Sequence, residues 1–295
     1  MSSRETLTCE QMAAAQHAVT VVVVTFNSAH CMPALAQVLV DWPSVVIVDN
    51  ASEDGCADVA TRLLPHARVL RLSENLGFGA ANNRGVELAS TPSVLLLNPD
   101  CEISGDSIGR LWLTLDADSG AALCAPQLMR NEKEPEVNYR MASTDWASRG
   151  PAASGPLCVG FVCGAVMLLR TADFRAVGGF DERFFLYYED DDLCLRLTKS
   201  GRSLQIHPGI GVLHRSRSSV RTRKRTQGEY LRGYHHAQSK LTFAHIHDSL
   251  NAAIRKRRNL LWLTGLMLPI RLLVWSPAHL ARAWGRWCGA LAWRR

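Results

Sequence analysis

The sequence predicts an α/β fold with a mostly parallel sheet, and three observations support this prediction. Short runs of β-branched residues recur in the first hundred residues, as in strands that are buried on both faces of a sheet. Helical patterns separate these runs, and strands that alternate with helices are joined by right-handed crossovers. Polar residues follow the strands directly, at the positions where open α/β sheets bind their ligands.

Four strands and one helix can be placed in order along this part of the chain. The strands are predicted at residues 19–24, 45–48, 68–72 and 94–97, and the helix at residues 80–89. Between residues 131 and 156 the periodicity gives way to polar sequence that contains proline and glycine. This composition predicts an excursion over the surface or a loop that covers the substrate.

Length and cysteine content narrow the class of protein. With 295 residues, of which 47% are hydrophobic, the chain can bury a full core as one large domain or two small ones. Its nine scattered cysteines include no CxxC pair, so they indicate neither a zinc site nor a disulfide framework and favour a reducing compartment. Residues 1–16 contain acids and no long apolar run, so we expect no secretory signal there.

Charge is distributed unevenly along the chain. Residues 215–295 contain 17 Lys and Arg but 2 Asp and Glu, a net charge of +15. The preceding residues contain 16 basic and 25 acidic side chains, a net charge of −9. We therefore expect an anionic partner for the C-terminal part.

Four consecutive carboxylates at residues 189–192 form the most informative local feature. They follow an apolar and aromatic run, and the spacing of Leu193 and Leu197 places them in the first turn of a helix. Like charges this close can raise one pKa towards the range in which a carboxylate acts as a general base. A solvated acidic helix start explains the same residues, so both interpretations stand at this point.

Two other acidic residues stand at predicted strand ends. Asp49 follows an apolar strand and could accept hydrogen bonds from a base or ribose, or could fix a turn or cap a helix. Asn98-Pro99-Asp100 ends the fourth strand on a stiff turn. One or two carboxylates are what Mg²⁺ usually takes from a protein, although an ordinary Asx turn would also need this aspartate.

The segment after the third strand contains small residues that allow close approach of the backbone, or a tight turn with close helix packing. It does not contain GxGxxG, and GxxxxGK[ST] occurs nowhere in the chain, which disfavours a nicotinamide enzyme and a P-loop NTPase. His214 follows an apolar strand and would be structural or would contact a metal or phosphate.

The C-terminal part combines basic and apolar segments. Basic runs at residues 215–225 and 255–258 precede an apolar stretch at residues 260–275, which Pro269 and Arg271 interrupt. Because about 20 apolar residues are needed to span a bilayer, this stretch favours a helix lying in an anionic membrane surface, with tryptophans at the interface. The alternative is packing against the rest of the chain or against a second copy in a homo-oligomer. Nucleic acid binding is not expected, since the basic run has no interleaved aromatic residues.

The motifs together resemble family 2 glycosyltransferases of the GT-A fold, and most closely the bacterial rhamnosyltransferase-type branch. The resemblance covers about residues 19–219 and rests on six motifs in the family's order: Thr25-Phe26-Asn27, Val48-Asp49-Asn50-Ala51-Ser52, Asn75-Leu76-Gly77-Phe78-Gly79 with Asn82-Asn83, Leu97-Asn98-Pro99-Asp100, Gly178-Gly179-Phe180-Asp181-Glu182 and Tyr188-Glu189-Asp190-Asp191-Asp192-Leu193-Cys194. It implies a GT-A domain with a Rossmann-like sheet at residues 19–219, after an N-terminal extension at 1–18. Residues 220–295 would then form a basic, amphipathic helical region that associates with membranes.

The resemblance also implies roles for individual residues. In the family pattern, Asp190 is the general base with Glu189 beside it, and Asp100 is the ligand of a divalent cation, Mg²⁺ or Mn²⁺, with His214 as a second contact. Asn98 departs from the full DxD motif, and Asp191 occupies a position that is often apolar in relatives. The residues expected to bind the nucleotide sugar are Thr25, Asn27, Asp49, Asn75, Gly77, Asn82 and Asn98.

The activity that the resemblance implies is an inverting, metal-dependent transfer of rhamnose from dTDP-rhamnose to a hydroxyl group in cell-surface polysaccharide synthesis. The acceptor would be a glycan or a polyprenyl-diphosphate-linked glycan, and the enzyme would act in the cytoplasm at the inner face of the plasma membrane. The same fold using a UDP- or GDP-sugar, or a scaffold that binds nucleotide sugar and membrane without turnover, is the alternative. We expect the cation site at Asp100 and the base at Asp190 to face each other across one cleft.

Overall fold

The computed structural model describes residues 7–141, 151–215, 225–273 and 276–294, and the chain divides into two compact units. The first unit comprises the described residues of Met1–Leu76, Ala81–Phe180 and Leu193–Arg221. The second unit comprises those of Gly77–Ala80, Asp181–Asp192 and Thr222–Arg295. The domain boundaries expected from the sequence, at residues 1–18, 19–219 and 220–295, remain a prediction.

The elements predicted for the first hundred residues are all present, with bounds close to those expected. The observed order is α1 (Cys9–Ala18), β1 (Val19–Thr25), α2 (Met32–Leu39), β2 (Val45–Asp49), α3 (Cys56–Leu63), β3 (Arg68–Arg71), α4 (Phe78–Glu87) and β4 (Ser93–Leu97). The β-branched runs form strands because their side chains pack well on a pleated, buried surface, and β2 and β4 are buried along their whole length.

The remaining elements extend the sheet and cover it. They are β5 (Cys101–Glu102), α5 (Gly105–Ala117), β6 (Ala121–Met129), β7 (Tyr139–Arg140), β8 (Leu157–Val159), β9 (Phe161–Val162), β10 (Val166–Arg170), α6 (Thr171–Ala176), α7 (Glu189–Lys199) and β11 (Ser203–His214). The helix predicted from Leu193 and Leu197 is therefore α7, and the acidic residues form its first turn.

The large sheet is parallel in its first half and mixed in its second. Its strand order is β3-β2-β1-β4-β10-β6-β11-β5, and β8 also pairs with β11. Strands β3, β2, β1 and β4 are parallel, as expected, and β6 and β11 are also parallel to each other. However, β10 is antiparallel to both β4 and β6. The sequence did not reveal this reversal because an apolar run predicts a strand and not its direction.

The first part of the chain is tied into the core of the first unit. Ala15 of α1 is fully buried in the apolar cluster, and the indole Nε1 of Trp42 donates to Val19 O at 2.9 Å. Part of the irregular segment at residues 131–156 folds back on the sheet, since Glu136 N donates to Leu128 O at 2.7 Å. Strand β7 in this segment pairs with β9 in a small second sheet. Residues 142–150 of the predicted excursion lie outside the described residues.

The second unit contains three long helices, α8 (Arg225–His247), α9 (Leu250–Leu273) and α10 (Pro277–Ala292). Helices α8 and α10 approach closely at glycines. A Cβ added to Gly285 would lie 2.0 Å from Tyr230 O, and one added to Gly289 would lie 2.3 Å from Tyr234 O. Glycine is required at these two positions because the neighbouring backbone occupies the space of a side chain.

The predicted membrane-facing tryptophans divide into exposed and packed residues. Trp262 and Trp284 are exposed, at 73% and 50%. Trp293 is buried and donates to Thr242 Oγ1 at 3.2 Å, so its expected interfacial role is wrong because α8 covers the ring. Trp275 and basic residues 217–224 lie outside the described residues. Among the helices described, none is both long and apolar enough to cross a membrane.

Candidate active site

The carboxyl ends of β1 and β2 bring together the first group of predicted site residues. Thr25 ends β1 opposite Asp49 at the end of β2, and both side chains are buried. Thr25 Oγ1 donates to Asp49 Oδ1 at 3.3 Å, and Ser52 Oγ donates to the same oxygen. Asp49 therefore fixes the turn after β2, which was one of its two predicted roles.

The turns at this edge of the sheet hold strained backbone conformations. Asn27 and Ala51 have φ values of +53° and +62°, in the left-handed region that residues other than glycine rarely adopt. Hydrogen bonds maintain this geometry, since Asn27 N donates to Ser52 Oγ at 2.9 Å and Asn27 Oδ1 accepts from Glu53 N at 2.8 Å. Strain that several bonds maintain in this way is typical of ligand sites.

Asn75 continues the same edge through a network of amide groups. Its Oδ1 accepts from Asn50 Nδ2 at 2.9 Å, and Asn50 Oδ1 accepts from Leu76 N at 2.8 Å. Because the two asparagines fix each other, the loop after β3 is held against the loop after β2. In the first unit, Thr25, Asn27, Asp49 and Asn75 thus form one connected group.

Gly77 and Asn82 follow in the same motif. The structure explains why residue 77 is a glycine. Gly77 has a φ of +89°, and a Cβ there would lie 2.2 Å from Phe185 O. Phe78 N donates to this same carbonyl at 3.0 Å. Asn82 is buried in α4, and its neighbour Asn83 bonds both the N and the O of Phe180, each at 2.9 Å.

The predicted metal ligands Asp100 and His214 lie beside each other. The pairing of β5 with β11 sets Cys101 opposite His214, and Asn98 closes the turn by accepting from Cys101 N at 3.1 Å. His214 Nε2 lies 3.8 Å from Asp100 Oδ1, and its Nδ1 lies 3.6 Å from Glu136 Oε2. The sequence predicted that Asp100 and His214 lie together, but it did not predict the contact of His214 with Glu136.

These residues fit a small divalent cation. His214 Nδ1 and Glu136 Oε2 are buried without a hydrogen-bond partner, as expected where a ligand completes the site. Asp100, Cys101 and His214 also present ligand atoms within 4.8 Å of one another. Burial, followed by the charge of Asp100, raises the pKa of the Cys101 thiol well above its usual value. The carboxylates of Asp100 and Glu136 are hard oxygen ligands of the kind that suits Mg²⁺ or Mn²⁺.

In the second unit, the four carboxylates of residues 189–192 have different environments. Glu189, Asp191 and Asp192 are buried, whereas Asp190 is partly accessible to solvent. Burial, followed by the charge of Asp190, raises the pKa of Glu189 well above its usual value, which favours the neutral acid. Asp192 Oδ1 lies 2.8 Å from His247 Nε2 of α8. Asp190 is therefore the carboxylate best placed to meet a solvent-borne substrate.

The segment before the acidic residues is strained and held in place by α8. Tyr187 and Tyr188 have φ values of +70° and +69°, and both rings contact His236 edge-on. Phe185 stacks on His235 at 4.3 Å between ring centroids. These two consecutive left-handed residues set the direction in which the first turn of α7 begins. Such strain persists only where surrounding contacts enforce it.

Two residues of these clusters were missed by the sequence analysis. Glu136 lies in a segment with no periodicity, and His247 lies 55 residues from its partner Asp192. Neither position stands at a strand end or in a motif. No local signal could identify them, because both act through contacts that the fold creates.

Comparison with known proteins gives consistent matches. A family model described as glycosyl transferase family 2 matches residues 20–176, and a model described as the N-terminal domain of galactosyltransferase matches residues 158–219. An N-acetylglucosaminyl-diphospho-decaprenol L-rhamnosyltransferase of Mycobacterium tuberculosis is 31% identical over 60% of this chain and 68% of its own length. The low-salt glycan biosynthesis hexosyltransferase Agl10 of Haloferax volcanii is 26% identical over 70% of each chain.

A solved structure supports the same architecture. The mannosyltransferase PcManGT from Pyrobaculum calidifontis, in complex with GDP-Man and Mn²⁺, superposes with a TM-score of 0.56. The match covers 93% of this chain and 86% of that one at 16% identity. At this identity the likeness concerns the fold, and it confirms the GT-A-type architecture expected from the motifs.

Proposed function

Because the chain belongs to glycosyl transferase family 2, we propose that it transfers a sugar, rhamnose from dTDP-rhamnose, to a hydroxyl group of a lipid-linked glycan. The chain is a glycosyltransferase of the rhamnosyltransferase-like kind, as the sequence predicted. The named relative that acts on a diphospho-decaprenol supports the choice of acceptor class. The observation that carries the proposed mechanism is the sorting of the acidic cluster, which leaves Asp190 accessible.

We assign donor binding to the edge formed by the ends of β1, β2, β3 and β4. Asp49, already held by Thr25 and Ser52, would accept a hydrogen bond from the base or ribose. Asn27 and Asn75 are fixed by their own hydrogen bonds, so they would meet the nucleotide without further ordering. Asn82 and Asn98 of the first unit are proposed to contact the nucleotide sugar as well, and Gly77 keeps its predicted role in donor binding. A UDP- or GDP-sugar would use the same groups, and a few side chains would select among them.

Asp100 and His214 are proposed to hold the divalent cation, with Glu136 as a third contact or as the group that orients the imidazole. The carboxylate of Glu136, with its buried Oε2 3.6 Å from His214 Nδ1, suits the second task, because ligating histidines are usually oriented by a carboxylate or carbonyl. When bound, the cation supplies positive charge for the donor diphosphate. The mannosyltransferase PcManGT, which was solved with GDP-Man and Mn²⁺, supports this use of a cation.

Asp190 is proposed to be the general base. The acceptor oxygen would attack the anomeric carbon as the bond from this carbon to the diphosphate oxygen breaks, and the hydroxyl proton would pass to Asp190. A single displacement inverts the configuration of the sugar. A neutral Glu189 would place less negative charge beside Asp190 than an ionised one.

An isosteric substitution tests the assignment of the base. Asp190→Asn should lower the transfer rate about 10²- to 10⁴-fold, while nucleotide-sugar affinity stays within a few-fold. Asp248→Asn is the matched control, since it removes the same charge from an exposed position in the same unit. Single-turnover transfer and calorimetric donor binding separate the two effects. Full turnover in Asp190→Asn with the true donor and acceptor would disprove the assignment. Donor binding without transfer by the wild type would favour a scaffold.

We propose that α9 rests on an anionic membrane surface. Its exposed apolar side chains are Trp262, Leu263, Leu266, Met267, Ile270, Leu272 and Leu273, and Trp284 of α10 is also exposed. Arg255, Lys256 and Arg258 are exposed at the start of the same helix. Apolar and basic groups on one helix suit the interface of anionic lipids. This arrangement supports the expected site of action at the inner face of the plasma membrane.

Sedimentation with phosphatidylglycerol vesicles tests this surface. The pair of changes Trp262→Ser and Leu266→Ser should reduce binding at least about tenfold, since two large apolar side chains would be lost from the contact. Val40→Ser, at an exposed apolar position of the first unit, is the control. Equal vesicle binding by the α9 variant and the control would rule out this surface.

A further inference from the structure

Helices α8 and α10 bring three basic side chains together in the second unit. Arg282 and Arg286 are four residues apart on α10, and Lys240 lies on α8, which packs against α10 at Gly233. A Cβ added to Gly233 would lie 2.2 Å from Arg282 O, so the two backbones are in contact beside the arginines. All three basic side chains are half-buried. We call them the basic cluster.

The acidic groups around the basic cluster do not balance it. Glu229 lies 2.9 Å from Arg232 and 3.8 Å from Arg282, so one buried carboxylate serves two arginines. The Nε atoms of Arg282 and Arg286 are buried without a hydrogen-bond partner. Guanidinium groups in this state are costly unless an anion completes them.

The pKa values of the neighbouring groups agree with an excess of positive charge. Burial, followed by the charges of Arg286, Lys240 and Arg282, lowers the pKa of His236 to about 4. Burial, followed by the charge of Arg282, also lowers the pKa of Arg286. Burial, followed by the charges of Lys256 and Arg286, lowers that of Lys240. The three cations therefore repel one another, and an anion bound among them would relieve this repulsion.

The basic cluster lies next to the acidic cluster and to an apolar groove. His236, which these cations surround, contacts the rings of Tyr187 and Tyr188 directly before Glu189. Ala281, the residue before Arg282 on α10, lines a groove of about 550 Å³. The groove is lined mainly by apolar side chains: Thr226, Leu268, Pro269, Leu272, Pro277, Leu280, Ala281 and Trp284.

We propose that Lys240, Arg282 and Arg286 bind the diphosphate of a polyprenyl-diphosphate-linked acceptor. This inference rests on the lipid-linked acceptor proposed above. Diphosphate oxygens accept bidentate hydrogen bonds from guanidinium groups, which a neutral glycan would not satisfy. The groove that Ala281 lines would take the first isoprene units, and the contacts of His236 with Tyr187 and Tyr188 place the basic cluster near the segment that carries the proposed base.

Calorimetric titration of the full chain with farnesyl diphosphate tests the site. Arg286→Gln and Lys240→Gln should each raise the Kd at least about tenfold, since each removes a charge-assisted contact. Arg62→Gln is the charge-matched control, because Arg62 is exposed on α3 and belongs to none of the proposed binding surfaces. Farnesol should not bind detectably, and inorganic pyrophosphate should bind more weakly than farnesyl diphosphate. Melting temperatures of the variants verify folding, and Lys240→Gln serves if Arg286→Gln does not fold.

Each contrary result has a distinct meaning. Equal loss of farnesyl diphosphate affinity in Arg62→Gln would overturn the site in favour of general surface charge. Equal binding of pyrophosphate and farnesyl diphosphate would overturn a lipid-linked ligand in favour of a soluble one. If the variants lose binding to phosphatidylglycerol vesicles but keep their affinity for farnesyl diphosphate, the basic cluster binds lipid headgroups and the proposal is overturned. Failure of the wild type to transfer rhamnose from dTDP-rhamnose to any lipid-linked glycan would count against the proposed function instead, whatever its affinity for farnesyl diphosphate.

Discussion

Replacing Gly77 with alanine should displace the segment that leads into the acidic cluster, and the cost follows from the structure. Gly77 has a φ of +89°, where a β-carbon costs about 1–2 kcal/mol. The new Cβ would lie 2.2 Å from Phe185 O, and no side-chain rotation relieves a clash with backbone, which adds about 1–3 kcal/mol. Moving the chains apart weakens the 3.0 Å hydrogen bond from Phe78 N to this oxygen, worth about 1 kcal/mol.

Gly178→Ala is the matched control for this substitution. Gly178 has a similar φ of +83°, but nothing lies within 4 Å of an added Cβ. The control should therefore show the backbone cost alone, whereas Gly77→Ala adds the clash and the weakened bond. At about 2–4 °C of melting temperature per kcal/mol, we expect a fall of about 4 °C in the control and about 10 °C or more in Gly77→Ala.

Thermal unfolding followed by circular dichroism, together with single-turnover transfer, measures both consequences. Because Phe185 precedes Tyr187 and Asp190, displacement of its backbone by about 1 Å should lower the transfer rate about a hundredfold. Gly178→Ala should retain most of its transfer rate. Equal falls in melting temperature for the two variants would refute the reasoning, since the close contact at Phe185 would then have no energetic effect.

Two further predictions follow from the buried groups. Glu136→Gln should weaken Mn²⁺ binding about 10- to 100-fold by electron paramagnetic resonance titration, while Glu134→Gln, at an exposed position, should not; unchanged affinity in both would exclude Glu136 from the cation site. Because the folded state holds the proton of Glu189 more tightly than the unfolded state, the free energy of unfolding should fall as pH rises above 4.5. Denaturant unfolding of Glu189→Gln should show a weaker fall over the same pH range, and identical pH profiles would contradict the raised pKa.

Much of the fold was predicted from the sequence because its signals are local. The β-branched runs identified β1, β2 and β4 within one or two residues, and the spacing of Leu193 and Leu197 identified α7. The antiparallel direction of β10 was not predicted, since an apolar run has no direction. The short strands β5 and β7, of two residues each, gave no periodic signal.

The candidate site was predicted in part for the same reason. Strand ends and motifs identified Asp49, Asp100 and Asp190, and the structure places Asp100 beside His214. The roles of these residues, including donor binding and general base catalysis, remain proposals. The C-terminal tryptophans show the limit of composition, because it cannot separate the exposed Trp262 from the buried Trp293.

By itself, the sequence determined the first four strands, the helices α4 and α7, the family to which the chain belongs, and the residue types that stand at the strand ends. The tertiary structure alone decided which of the four carboxylates is accessible, that Glu136 faces His214, and that Lys240 lies in one cluster with Arg282 and Arg286. The physical reason is the separation along the chain over which each kind of interaction acts. Backbone preference and periodicity act between near neighbours in the chain, whereas burial and charge interactions depend on groups that only folding brings together.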